Sequence, residues 1–310
     1  MTAGWVAGTV RARALLDRRV GADGIRRLAT QATMDEALAQ LRGTAYRRFL
    51  PEAADALDAE RAVNLATLWN LRVLAGWLPR PGVSALRTLV AEFEIRDLAA
   101  RLRAIRGESA PPPYRLGALA TVGEGALAAG SVGELRRRLA SCAWGEPGTG
   151  DAAGIVDYLY LSWACRLAQT HPAARAWGAG AAALALARQR FLLGRRPTVT
   201  AANRVRPLLG TGALDAADWD GFVAALPEPT AAWTVRGLDG PQRLWLGERR
   251  WWSRVEEDAG RLTRANAFAL APVLGCATLL LADARSVRIA LSLVAGAGAV
   301  TVRDGEDVRA

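Results

Sequence analysis

The chain has 310 residues, of which 51% are hydrophobic, enough for a sizeable core and too apolar for a disordered segment. Its formal charge is +10, and all 40 of its basic residues are arginine, a usage that a GC-rich coding sequence produces; without lysine, a P-loop phosphate grip and a Schiff-base amine are excluded. One histidine, His171, and three scattered cysteines, Cys142, Cys165 and Cys276, exclude a multi-histidine metal site and a CxxC site, and predict reduced thiols buried as small hydrophobes.

Residues 1–13 lack a basic stretch followed by an apolar core, so no secretory leader is expected. An Arg-rich helix is predicted over 9–19, then a break at Gly21–Gly24 and a short helix from Ile25. Thr33 and Glu36 have the spacing of a capping box, opening a helix that runs to Arg42 and stops at Gly43. An amphipathic helix follows over 60–78, closed by Pro79-Arg80-Pro81-Gly82. Residues 85–106 carry one apolar stripe through Leu86, Val90, Phe93, Leu98, Leu102 and Ile105. They read as a single long helix, capped by Ser84 and ended by Gly107 and Pro111–Pro113. Glu94 and Arg96 at its middle are placed to tie helix to helix.

Short helices are predicted over 116–127 and 132–139, and a Gly-rich loop over 145–154. Helices over 155–169 and 173–193 are parted by His171-Pro172, with His171 a surface or hinge residue. Further helices are predicted over 198–209, 215–226, 243–266, 268–281 and 283–294. The uncharged run 265–282 holds Asn266, Pro272, Gly275 and Thr278, and reads as two core helices meeting near Pro272 rather than a membrane span. Only Val300-Thr301-Val302 looks extended, so the fold class is all-α.

Two segments align without a gap. Thr33 to Tyr46 matches Ser131 to Trp144 (131 − 33 = 98), each with Ser or Thr at an N-cap, Glu three residues on and an aromatic ten residues later. Arg11-Ala12-Arg13 corresponds weakly to Arg96-Asp97-Leu98, sharing the first arginine. A third copy of the Glu94-Ile95-Arg96-Asp97-Leu98 pattern starts at Asp283-Ala284-Arg285-Ser286-Val287 and ends in Gly305-Glu306-Asp307. Three related units suggest a triplication; the spacing is too long and uneven for a solenoid.

Candidate chemistry is sparse. Gly145–Gly150 could cluster backbone donors around a phosphate, but no strand precedes it and a linker explains it better. Glu256-Glu257-Asp258 point in different directions on a helix and read as a solvated face. Trp245, Trp251 and Trp252 beside Arg249, Arg250 and Arg254 could stack on bases, though tryptophans at helical spacing more often form core. Arg136-Arg137-Arg138 fits a phosphate patch or a solvated turn equally well.

The sequence resembles the C subunits of prokaryotic V-type (A-type) rotary ATPases and ATP synthases, the family that includes the d subunits of the eukaryotic V-type enzymes. The resemblance rests on residues 9–16, 33–46, 94–103, 116–117, 131–144 and 283–288 in that order. It departs at Asp97 and Ser286, where the family usually has Asn, and matches poorly over 145–241. The resemblance implies three similar helical units around a pseudo-threefold axis, shaped like a funnel, with units expected over 1–82, 83–196 and 197–310. It implies a non-catalytic rotor socket that receives the central-stalk subunits and sits on the membrane ring subunits. Torque for ATP-linked proton or sodium transport would pass through it. A cytoplasmic location peripheral to the membrane follows, with no cofactor, metal or nucleic acid. Arg11, Arg13, Glu94, Arg96, Asp97, Asp283, Arg285 and Arg288 are its structural motif residues. A basic all-helical nucleic-acid-binding protein is the alternative.

Overall fold

The computed structural model describes residues 3–265 and 267–307. Among them every regular element is helical and no strand occurs; Val300–Val302 belong to the last helix. Packing divides the chain into two compact units, Met1–Gly82 with Ala259–Ala310, and Val83–Asp258. Residues 197–258 therefore lie with 83–196, and 259–310 with 1–82.

The first unit holds α1 (Ala3–Leu16), α2 (Gly21–Ala29), α3 (Met34–Arg42) and α4 (Ala56–Ala75). Thr33 caps α3 with both bonds of a capping box, to and from Glu36, and Asp55 with Asp58 does the same for α4. These boxes satisfy N–H groups that a helix start leaves unpaired. The core joins Leu28, Leu38, Leu41, Tyr46 and Val63 to Ala284, Val287, Leu291 and Val294. The last four recur at three- and four-residue steps on the C-terminal helix, which thus inserts one face among the N-terminal helices.

In the second unit, the expected long helix over 85–106 is two helices, α5 (Arg80–Leu89) and α6 (Ala91–Ile105). Ser84 is not a cap but an interior residue of α5. At the break Val90 leaves the helical region (φ −88°, ψ 3°). The Trp163 indole N–H donates to the Thr88 carbonyl just before it (3.0 Å), so a carbonyl beside the interruption has a partner.

Then come α7 (Val132–Ala140), α8 (Ala152–Thr170), α9 (Arg175–Ala187, continued by a π turn over Arg188–Leu192), α10 (Val199–Asp215) and α11 (Trp219–Ala225). Helices α8 and α9 pack closely because Gly178 has no Cβ; one there would overlap the Ala164 carbonyl and the Ala168 amide.

Helix α12 (Leu244–Thr263) contributes residues to both units, and α13 (Leu270–Asp307) follows. Helix α13 is one helix, not two meeting at Pro272. Pro272 is its third residue, where a missing N–H costs nothing because first-turn N–H groups have no intrahelical partner. Over Leu270–Gly296 it is long and apolar enough to cross a membrane by length and composition, and 67% of its most apolar window is buried inside the protein.

Candidate functional site

Helix α6 stops at Gly107 and Pro111–Pro113, and the chain to Ser131 forms only short 3-10 turns. Its backbone N–H groups have no regular ladder and need other acceptors. One face of α6 supplies them. Glu94, 2% exposed, takes the Thr121 and Val122 N–H groups on Oε1 (2.7 and 2.9 Å) and the Trp144 indole N–H on Oε2 (2.7 Å). Three residues on, both oxygens of Asp97 accept from the Tyr114 N–H (3.0 and 2.9 Å). Four further, Arg101 donates through Nε and Nη2 to the Ala129 carbonyl (2.7 and 2.5 Å). The steps of three and four put 94, 97 and 101 on one side of the helix.

Trp144 is fully buried and is held by its backbone too. The Tyr158 hydroxyl (2.7 Å) and Arg204 Nη1 (2.5 Å) both donate to its carbonyl. Gly145 is required beside it: φ is +82°, and a Cβ would come within 2.9 Å of the Tyr158 hydroxyl and Arg204 Nη1. Arg166 lies 4.7 Å over the Trp144 ring and donates to Thr121 Oγ1 (3.1 Å). Burial lowers its pKa, and the Glu94 carboxylate works against that.

The first unit repeats this arrangement with a carboxylate from the far end of the chain. Asp283 on α13 is 6% exposed. Its Oδ2 accepts from the Val20 N–H (3.0 Å), its Oδ1 from the Gly21 N–H (2.8 Å), and the Tyr46 hydroxyl reaches Oδ2 at 3.4 Å. Burial first, then the neighbouring carboxylate, pushes the Tyr46 phenol above its ordinary pKa. The equivalence extends along both segments. Thr33 and Ser131 cap α3 and α7, accepting from the N–H groups of Glu36 and Glu134. Tyr46 and Trp144 lie 98 residues apart (144 − 46) and meet Asp283 and Glu94 respectively. Asp55 and Asp151 cap the long helices α4 and α8 (151 − 55 = 96).

Each carboxylate accepts from two backbone N–H groups and one aromatic donor. They grip a loop and a ring.

The other motif residues lie elsewhere. Arg96 does not tie helix to helix. Its Nη2 pairs with Glu92 Oε1 on its own helix (2.5 Å), and both side chains are 38% exposed. Arg11 is exposed, its guanidinium 3.8 Å over the Trp77 ring. Arg13 donates to the Ala265 carbonyl (3.0 Å). Arg285 and Arg288 are half-buried on α13 beyond Asp283, and the Arg288 charge acts on Tyr46. The expected chain end of the third copy, Gly305-Glu306-Asp307, is the last turn of α13.

Several residues with no motif of their own proved structural. Arg190 donates through Nη1 to the carbonyls of Ala213 and Leu214 (2.8 and 3.1 Å) and through Nη2 to that of Ala216. Asp258 is not a solvated carboxylate; it accepts the Trp177 indole N–H at 2.8 Å. Trp251 is core, 7% exposed and bonded to the Trp177 carbonyl (2.7 Å), while Trp245 is 54% exposed. His171 is a cap whose Nδ1 accepts from the Ala173 N–H (3.1 Å), and burial lowers its pKa. Glu146 in the Gly-rich loop pairs with Arg136 (2.7 Å). Among the described residues no group of three or more His, Cys, Asp or Glu could hold a metal ion. Compared with known protein families and with characterised proteins, the sequence matches none of either.

Proposed function

We propose that this chain is a non-catalytic rotor component of a V/A-type rotary ATPase. It acts as a socket that couples the soluble central stalk to the membrane ring and transmits torque for ATP-linked proton or sodium transport. In this reading it is cytoplasmic, peripheral to the membrane, and has no ATPase activity alone. The resemblance of its motifs to the C subunits of that family is the starting point. The observation that carries the reading further is the repeated joint between a helix and a segment outside it.

Helix α6 clamps the loop before α7 and Trp144. The π turn that extends α9 clamps the end of α10, through Arg190, and packs Phe191 on Trp219 and Phe222 of α11. Helix α11 also opens at a capped residue, Asp218, which accepts from the Gly221 N–H (2.8 Å). Helix α13 then clamps the loop before α2 and Tyr46. Each of these helices is tied to a neighbouring segment within its own unit. The resemblance, not these contacts, is what suggests three similar units in a funnel. In the middle joint an arginine bonded to carbonyls replaces the carboxylate bonded to N–H groups. Such joints suit torque transmission, which needs helices that cannot slide and no reactive side chain.

The test is co-purification of the full chain with candidate stalk and ring subunits from the same genome. A stable complex with the stalk, and no ATP hydrolysis by the chain alone, is the expected result. Failure to bind either of them, combined with nucleic-acid affinity that falls steeply with salt, would replace this reading with the alternative of a basic helical nucleic-acid binder.

A further inference from the structure

The outer surface of α4 carries an unusual ridge. Leu57, Arg61, Leu65, Trp69 and Val73 follow at four-residue steps, and Trp77 stands one step beyond. Each such step turns about 40° around the axis, so the ridge winds; Trp69 and Val73 lie about 6 Å apart along the end of α4, and Trp77 follows in the turn just past it. Trp69 is 37% exposed, Val73 39% and Trp77 44%. Large apolar side chains left in water in a row, rather than scattered, mark a surface that something covers.

Its charge says what. The Arg48 guanidinium lies 4.3 Å over the Trp69 ring and that of Arg11 3.8 Å over the Trp77 ring. Arg72 and Arg80 are exposed on the same helix and just past it. None of these four arginines makes an ion pair among the described residues. The carboxylates of α4 itself are already occupied, Asp58 by the Asp55 N–H and Glu60 by the Ser292 hydroxyl. The face is thus apolar along its middle and cationic along its edges.

We infer that this face of α4 docks an acidic amphipathic helix of a partner protein. Apolar side chains of that helix pack on Val73 and the tryptophan edges, and its carboxylates pair with Arg11 and Arg48. A bilayer fits the same charge less well. Each guanidinium stacked on an indole holds the ring against the protein, whereas insertion into lipid needs rings that project. The inference stands on the first unit alone and does not depend on the rotor reading.

The test uses the full chain and a fluorescein-labelled model peptide, an amphipathic helix with leucine on one face and glutamate beside it, read by anisotropy at low and physiological salt. The expected result is saturable binding that R11Q/R48Q weakens about tenfold. A control that removes the same charge elsewhere, R103Q/R137Q, should weaken it less than about twofold, with far-UV dichroism showing both variants folded. Replacing the peptide's glutamates by glutamine should weaken binding as much as R11Q/R48Q does. Equal losses in both double variants, or equal binding of the glutamine peptide, would overturn the inference. So would binding to phosphatidylglycerol vesicles without binding to the peptide, which would make the face a lipid surface.

Discussion

Replacing Glu94 by alanine removes the acceptor for three buried N–H donors at once, those of Thr121, Val122 and Trp144. A hydrogen bond to a charged group contributes about 1.5–3 kcal/mol, and each buried donor left unpaired costs about 1–3 kcal/mol. The bonds are not additive, because the loop carrying Thr121 and Val122 relaxes toward water once released. A loss of about 3–5 kcal/mol follows, the size seen when one side of a buried charged contact is deleted. Glu94→Gln should lose less, since its amide oxygen still serves one pair of donors while its NH2 group confronts the third. Arg96→Ala is the internal control. Its half-exposed pair with Glu92 lies within one helix and contributes about 0.5 kcal/mol. Urea unfolding of the full chain reads the three stabilities, and amide exchange at Thr121 and Val122 reads the clamp locally. If Glu94→Ala costs no more than Arg96→Ala, or if those two amides exchange unchanged, the clamp is not what holds this loop.

The same logic applies to Asp283→Ala. It should destabilise the first unit by about 2–4 kcal/mol, somewhat less than Glu94→Ala because its aromatic bond is the longer one, 3.4 against 2.7 Å; a melting shift as small as that of a surface variant would refute it. Burial pushes the thiols of Cys165 and Cys276 from 9.0 up to about 11. The folded state therefore holds these protons more tightly than the unfolded state. The stability they contribute is complete below pH about 9 and is lost as pH rises from 9 to 11, at most about 3 kcal/mol per thiol. Urea midpoints across that range should fall more for the wild type than for C165A/C276A, and parallel curves would sink the argument. Gly178→Ala forces a methyl group into the α8 backbone at Ala164 and Ala168 and should cost about 1–3 kcal/mol by thermal melting; a neutral outcome would mean that α8 and α9 separate at little cost.

What local sequence encodes was legible. The Thr33 box caps α3 by the two bonds its spacing demands, and the pairing of Thr33–Tyr46 with Ser131–Trp144 reappears as matching caps and matching buried aromatics. What depends on remote partners was not. Asp283 meets Tyr46 across 237 residues of chain, and no pattern near either residue encodes that contact. Arg96 stood out because its neighbours were repeated, yet its partner lies one turn back on the same helix. The break at Val90 hides inside an unbroken apolar stripe, and the donor that satisfies the Thr88 carbonyl beside it comes from Trp163 on another helix. Pro272 misled in the opposite direction, because a proline ends a helix only from its interior and this one sits in a first turn.

The two clamps differ in a way that explains why both aromatics and both acids recur as pairs. A tyrosine hydroxyl lies farther from its own backbone than an indole N–H does. The carboxylate that meets Tyr46 is the shorter one, Asp283, and the carboxylate that meets Trp144 is the longer one, Glu94. A shorter aromatic reach is matched by a longer acid, so the helix and the segment it grips can keep a similar separation in both units. The two backbone N–H bonds impose the same requirement from the other side, at 2.7 and 2.9 Å in one clamp and 3.0 and 2.8 Å in the other. A contact held only by apolar packing would tolerate sliding by a fraction of a turn, whereas three donors converging on one carboxylate do not. What the copies hold in common is therefore a pattern, two backbone N–H groups and one aromatic donor on a single carboxylate, which the Glu–Trp and Asp–Tyr pairs build from different side chains.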